Sequence, residues 1–276
     1  VIDSHVHLNR REFADDLVDV LARAGQTGVS GFLNVGYDLI SSAESIALAE
    51  ADPRILATVG IHPHDATLLA DAEGNLTEDG RQALAELEAM AHHGRVRAIG
   101  EIGLDYYRDL SPRSAQRTAL TVQLELAEQV GLPVVFHIRD AWPETLAVID
   151  EVGVPSRGGV LHSFTGNEQA VIWARERGLM LGIGGPVTYK NSKLPELVAL
   201  AGADAFLLET DAPWLPPVPH RGKRNESGYL HYTLAAAASA VSLTPEELDQ
   251  RTTASFEALF GARSAESNTT EPRSDS

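Results

Sequence analysis

Short β-branched runs alternate with longer amphipathic segments along the chain. The runs predict strands near 2–7, 31–36, 55–61, 97–101, 133–137, 159–163, 179–183 and 205–209. Helical periodicity fills the intervals, at about 12–24, 41–51, 78–93, 112–130, 143–152, 167–177 and 191–200. Further helices are expected at about 230–242, 245–250 and 253–260. Strands separated by helical segments of roughly ten residues or more make βαβ units and a parallel sheet. Eight such units fit an α/β fold of the closed (β/α)8 TIM barrel type, a single domain with extra C-terminal helices. A doubly wound open sheet is the alternative arrangement of the same units.

Several boundaries have a local cause. Ser111 and Pro112 read as N-cap and first residue of a helix that Gly131 and Pro133 stop. Within it Leu120, Leu124 and Ala127 share one face. Thr244-Pro245-Glu246-Glu247 is a capping box with proline at the first helical position. The polar stretch from His64 to Gly80 reads as a loop over one barrel face. The barrel is expected to occupy 1–261, and the nearly apolar-free 262–276 to be a disordered tail. No internal repeat or domain-scale linker interrupts the pattern.

Composition narrows the function classes. A chain of 276 residues is normal for one barrel, which takes about 250. A hydrophobic content of 43% supports one large core and excludes disorder of the whole chain. With no cysteine, thiolate zinc sites, iron–sulfur clusters and cysteine nucleophiles are impossible. No apolar run approaches the roughly 18 residues of a membrane helix, and no secretory signal is visible ahead of Val1-Ile2. A soluble, cytoplasmic location is the expectation. The net charge of -17 opposes nonspecific attraction of polyanions. It leaves room for a phosphate substrate held by a local metal or basic loop, because salt screens distant charges beyond about 8 Å.

The candidate chemistry begins at Asp3-Ser4-His5-Val6-His7. Side chains alternate along a strand, so His5 and His7 share a side, and two imidazoles at this spacing suit one divalent ion. Alone, the pair fits two unrelated strand histidines equally well. Glu101, His137, His162 and Asp211 each follow an apolar run as well. Active sites of barrels sit at the C-terminal ends of the strands. Any one of these residues fits a structural ion pair, whereas five strand ends carrying them together point to a shared site. Four histidines and two carboxylates offer only nitrogen and oxygen, a set suited to zinc, manganese or magnesium and large enough for two ions.

The segments DSHVHL at 3–8, GIHPH at 60–64, GEIGLDYYRD at 100–109, HIRDA at 137–141, HSFTG at 162–166, ETDAPWL at 209–215 and RGKRNE at 221–226 follow one another in a familiar order. In these the chain resembles the TatD family of metal-dependent deoxyribonucleases, within the amidohydrolase superfamily. The resemblance spans residues 1–261 and implies two divalent metal ions per subunit. It implies that His5, His7 and Asp211 hold one ion, that His137 and His162 hold the other, and that Glu101 bridges them. Relatives with amide or phosphotriester substrates often bridge with a modified lysine, so Glu101 favours the nuclease branch. It also places His64 against substrate phosphate and leaves His62 without a role. Three departures from the family pattern, Ser227, Ser255 and a long loop around 64–80, touch no proposed ligand.

Substrate contacts are read from charge and position. Arg139 lies two residues beyond His137 and suits a phosphate, or alternatively a salt bridge to Asp105 or Asp140. Arg221, Lys223 and Arg224 form the dense basic patch after the last strand, placed to guide a nucleic-acid backbone or to be a solvated loop tied to Glu226. Tyr106 and Tyr107 fit base stacking or core packing. The resemblance implies a 3′–5′ exodeoxyribonuclease acting on DNA with single-stranded or frayed ends, with Asp211 and Glu101 as catalytic carboxylates and Asp211 accepting the water's proton. A deacylase or amidase, for example on aminoacyl-tRNA, uses the same metals and water and is the alternative; a noncatalytic barrel with structural metals is the other. No membrane association or obligate protein partner is evident. No GxSxG elbow or GxxxxGK[ST] loop is present, and Gly182-Ile183-Gly184-Gly185 reads as a close backbone approach near the site.

Overall fold

The structure is a computed structural model that describes residues 1–261. The tail expected at 262–276 lies outside the described residues. Eight strands are present: β1 Ile2–Val6, β2 Gly31–Asn34, β3 Ile55–Val59, β4 Val96–Asp105, β5 Val134–Arg139, β6 Gly159–Leu161, β7 Met180–Ile183 and β8 Phe206–Leu208. The helices are α1 Leu17–Gln26, α2 Leu39–Ala51, α3 Glu78–Ala91, α4 Arg113–Val130, α5 Trp142–Val152, α6 Glu168–Glu176, α7 Leu194–Ala201, α8 Leu230–Ala240 and α9 Pro245–Phe260. All neighbouring strands pair in parallel in the order β1 to β8. The sheet then closes. Val6 bridges Ala212, His7 N–H donates to Ala212 O at 3.0 Å, and Asp211 N–H donates to His5 O at 3.0 Å. That seam makes a (β/α)8 barrel and rules out the open sheet.

Two apolar regions hold it together. The larger lies between sheet and helices. The smaller fills the barrel axis at the N-terminal end of the strands, where Leu33, Ala98, Val135, Val160 and Leu207 meet Phe256 and Phe260 of α9. Burying each phenylalanine contributes roughly 1.5–3 kcal/mol. The last helix therefore plugs one mouth of the barrel and leaves the other, lined by polar residues, for chemistry. Two helices expected in this region are one, because nothing between 250 and 253 breaks it; Thr252 is buried, its hydroxyl donating to Leu248 O at 3.0 Å. The capping box at Thr244 is present.

Two further expectations are corrected. Pro112, not Ser111, is the N-cap of α4, and the Ser111 hydroxyl instead donates to His64 O at 2.7 Å. The segment after His64 is no plain loop. It forms a 3-10 helix at Pro63–Leu68 and an isolated bridge between Ala70 and Leu76, with Ala66, Leu69 and Ala70 buried. Among the described residues no helix is long and apolar enough to cross a membrane.

Candidate metal centre

Two irregularities in the strands aim the site. Ile2 and Ala98 pack with the axial plug, so strict alternation would turn His5 and Glu101 outward. The β1–β2 register slips by one residue between Asp3↔Phe32 and Val6↔Asn34. The β4–β5 register does the same between Ile99↔Val134 and Ile102↔Phe136. Such bulges re-aim side chains next to active sites. Here they return His5 and Glu101 to the barrel axis. His137, His162 and Asp211 need no correction, since each shares the parity of an axial residue, Val135, Val160 and Leu207 respectively. Asp211 sits in the left-handed region (φ 55°), one that aspartate tolerates better than most residues.

The six residues expected to be ligands converge. His5 Nε2 and His7 Nε2 are 3.1 Å apart. Glu101 Oε2 lies 3.5 Å from His5 and 3.8 Å from His7, and Asp211 Oδ1 lies 3.9 and 3.7 Å from them. On the other carboxylate oxygen, Glu101 Oε1 lies 2.7 Å from His137 Nδ1, 3.6 Å from His62 Nε2 and 3.7 Å from His162 Nε2. Glu101 is thus the shared centre, with one oxygen toward each cluster. His162 Nε2 stands between them, 3.9 Å from Asp211 Oδ1, its ring stacked on His5 at 3.4 Å.

Electrostatics separates the histidines. Burial, and then the neighbouring charge of His162 or His5, holds His5 below its ordinary value and His7 well below it. Burial and His137 do the same to His62. Burial opposes protonation of His162 too, but Glu209, Asp211 and Glu101 outweigh it and push it up to about 10. Burial pushes Asp211 up to about 7, with His162 holding it back and Glu101 and Glu209 adding to the rise. For Glu101 burial is overcome by His62, His162, His137 and His5, and it stays well below the carboxylate range.

These residues fit a divalent cation. Unprotonated His5 and His7 bring their Nε2 atoms within 3.1 Å of each other, and in the tautomer protonated at Nδ1 both lone pairs are free for one cation. A first-row ion with bonds of roughly 2.0–2.1 Å needs its donors about 3 Å apart. Three groups bring their ligand atoms within 4.8 Å of one another, close enough to contract onto an ion: His5, His7 and Asp211; His62, Glu101 and His137; and His5, His162 and Glu209. Because a ligand must shed its proton, loading the site should release protons. Asp211 is protonated below about pH 7 and His162 up to about pH 10 in the metal-free protein. Metal affinity should therefore rise as pH increases from 6 to 8. Calorimetry in buffers of different ionisation enthalpy measures the protons released; a pH-independent affinity with no release would contradict the assignment.

Two carboxylates went unassigned at the sequence level. Glu209 Oε1 accepts from the Ser163 amide at 2.7 Å and lies 2.9 Å from His162 Nδ1. A carboxylate behind a ligating imidazole fixes its ring and raises its basicity. Gly182 is where Glu209 needs room, since a Cβ there would stand 2.2 Å from Glu209 Oε2. Glu209→Gln should weaken metal affinity about 10- to 100-fold, read by competition with a fluorescent chelator; unchanged affinity would remove Glu209 from the centre. Asp105, at the end of an unexpectedly long β4, bonds both His64 Nε2 at 2.8 Å and His137 Nε2 at 3.1 Å. His62 joins the second cluster, a place not assigned from its position in GIHPH. Its Nδ1 accepts from the His64 amide at 3.2 Å, which turns Nε2 inward.

The centre opens into a cavity of about 650 Å³ lined by His64, Arg10, Arg108, Arg139, Trp214 and Leu110, among others. Arg139 makes neither of the salt bridges considered for it; its guanidinium lies over the Tyr107 ring at 4.0 Å. Tyr107 is 58% exposed, so it is available for stacking, whereas Tyr106 packs against the core under Arg113. Arg221 lies over Tyr189 at 4.5 Å, and Lys223 is exposed. Arg224 is turned away. It bonds Asp16 at 2.8 and 2.7 Å and the Glu12 carbonyl, so the basic patch is divided between the mouth and a structural network with Arg23 and Glu226.

Comparison with known proteins agrees with this geometry. The family described as TatD related DNase matches residues 2–261. An uncharacterized metal-dependent hydrolase of Bacillus subtilis, YabD, is 37% identical over 94% of this chain and 98% of its own. The 3'-5' ssDNA/RNA exonuclease TatD of Citrobacter rodentium is 36% identical over 95% of this chain and 98% of its own. The crystal structure of YJJV, a TatD homolog from Escherichia coli, superposes with a TM-score of 0.85 at 29% identity, covering 95% of this chain and 98% of that one. With the family matched across the whole barrel and the donor cluster at its mouth, the chain belongs to the TatD family and is a metal-dependent hydrolase.

Proposed function

We propose that the chain is a 3′–5′ exodeoxyribonuclease that hydrolyses phosphodiester bonds of single-stranded or frayed DNA ends. The observation that carries the reading is the mouth of the centre. In a protein of net charge -17, Arg10, Arg108 and Arg139 line the cavity that opens on the histidine–carboxylate cluster, beside exposed Tyr107 and Trp214. Cations paired with aromatic faces suit a backbone of phosphates and a row of bases without reading sequence. Relatives named 3'-5' ssDNA/RNA exonucleases support the same substrate class.

His5, His7 and Asp211 would hold one divalent ion, and Glu101, His137 and His162, with His62 beside them, a second. Bound ions of this kind activate a water and stabilise the leaving alkoxide. The residues of the chain do the rest. Asp211, ionised once the site is loaded, would accept the water's proton. His64, held by Asp105, and Arg139, braced on Tyr107, orient the scissile phosphate. Arg221 and Lys223 guide the incoming strand. Manganese, magnesium and zinc all suit these donors.

The test is product analysis on single-stranded DNA labelled at its 5′ end. Stepwise shortening with release of mononucleotides, halted by phosphorothioate linkages at the 3′ terminus, is the expected result. Internal cuts, or shortening from the 5′ end, would overturn the polarity. Inertness of metal-loaded protein on DNA together with activity on aminoacyl-tRNA or amides would overturn the substrate.

A further inference from the structure

Arg10 has a setting that the hydrolytic centre does not use. It follows β1, three residues past His7. Its guanidinium lies 5.6 Å from the Tyr37 ring centroid and 5.3 Å from that of Trp214. Nη1 lies 3.2 Å from the Tyr37 hydroxyl and donates to it. Nε forms an ion pair with Glu12 Oε2 at 3.6 Å, too long for a hydrogen bond, and both atoms are without a hydrogen-bond partner among the described residues. The charge is thus only loosely paired, and Nε keeps a hydrogen-bonding direction open to an acceptor. Arg224, turned away from the mouth, shows the contrast: it bonds both oxygens of Asp16 directly.

The place is as informative as the chemistry. Tyr37 and Trp214 stand edge-on to His7, at 5.7 and 5.0 Å, so Arg10 belongs to the His7 side of the centre. Arg139 and His64 lie on the His137 side, His64 with its ring 6.2 Å from that of His137. Cations therefore flank the centre on two sides. Beyond Arg10 a second cleft of about 480 Å³ continues outward, lined by Asn9, Arg11, Ser41 and the exposed Ile40. Arg10 and Tyr37 line both spaces and form the junction between them. Asp38 and Glu44 also line the outer cleft, which disfavours a phosphate there and leaves Arg10 as its place. Trp214 is 42% exposed and offers a ring face beside the same junction.

Resting on the phosphodiesterase reading, we infer that Arg10 grips the phosphodiester next to the scissile one. The adjoining base of the retained strand then rests on Trp214. A guanidinium already stacked between two rings presents a planar donor edge to a phosphate with little further loss of freedom. Arg10 is on this account a specificity residue for polynucleotide over dinucleotide and takes no part in bond breaking.

The experiment compares thymidine oligonucleotides of two, three and four residues as substrates of the metal-loaded enzyme. A dinucleotide has only the scissile phosphodiester; a trinucleotide adds the one assigned to Arg10. Wild type should gain about 10- to 100-fold in kcat/KM from two to three residues, chiefly through KM, the size of a charge-assisted contact. Arg10→Ala should lose that gain, and Arg10→Lys should keep part of it, more at low salt. Anisotropy of an uncleavable trinucleotide gives the same comparison as a binding constant, and the lysine variant guards against misfolding of the alanine one. An undiminished gain in Arg10→Ala overturns the inference. An equal loss on every length shows a structural role and overturns it as well. Failure of wild type on all lengths is a separate result, the fall of the phosphodiesterase reading itself.

Discussion

Asp211→Asn should lower kcat on single-stranded DNA by about 10²- to 10⁴-fold, the range that a positioned proton acceptor contributes. Asp211 sits at the seam where β1 and β8 close, its amide bonded to His5 O and its carboxylate 3.7–3.9 Å from three imidazoles. Its carboxylate makes no hydrogen bond among the described residues, and asparagine has the same shape. What changes is the chemistry: the amide accepts no proton at neutral pH and is a weaker ligand. Burial already opposes the Asp211 charge, so the metal-free variant should melt no lower than wild type. A melting scan beside the rate assay separates this outcome from misfolding. Activity within tenfold of wild type would remove Asp211 from its role.

Glu101→Gln should abolish stable metal loading altogether. Glu101 faces His5 and His7 with one oxygen and His137, His62 and His162 with the other. No other carboxylate of the described residues turns one oxygen to each cluster. Glutamine keeps the shape and offers one poor oxygen ligand and one amide nitrogen, which repels a cation. Metal content measured by plasma mass spectrometry should fall from occupied to near background, and hydrolysis with it. Full occupancy in the variant would show that the two clusters do not depend on a shared carboxylate.

The sequence was legible where a residue's neighbours along the chain determine its position. All eight strands lie where the apolar runs are, because a strand covered on both faces must be apolar. His137, His162 and Asp211 were legible for the same reason, each keeping step with the axial residues below it. Glu209 keeps that step as well, between Leu207 and Asp211, and alternation alone would have found it. His5 and Glu101 are different. They reach the axis only through register slips, and nothing local in the sequence announces a bulge. The HxH spacing and the apolar run before Glu101 made them candidates, and the resemblance of the surrounding motifs gave them their roles.

Long-range pairing was the other blind spot. Arg224 stands in a run of basic residues that looks uniform along the chain, yet its partner Asp16 is 208 positions away. Arg10 gave no signal either, since its setting depends on Tyr37 and Trp214 from other strand ends. The bond from Asp105 to His64 and His137 arises because β4 continues past the point where its apolar run ends.

The central claim is that this cluster is a metal-dependent phosphodiesterase centre. The most direct test strips the protein of metal and assays single-stranded DNA after adding magnesium, manganese or zinc separately, with Asp211→Asn run in parallel. The account predicts no shortening without metal, restoration by at least one ion, and none in the variant. Folded, metal-loaded protein that leaves DNA intact, or metal-independent cutting that survives in Asp211→Asn, would contradict it.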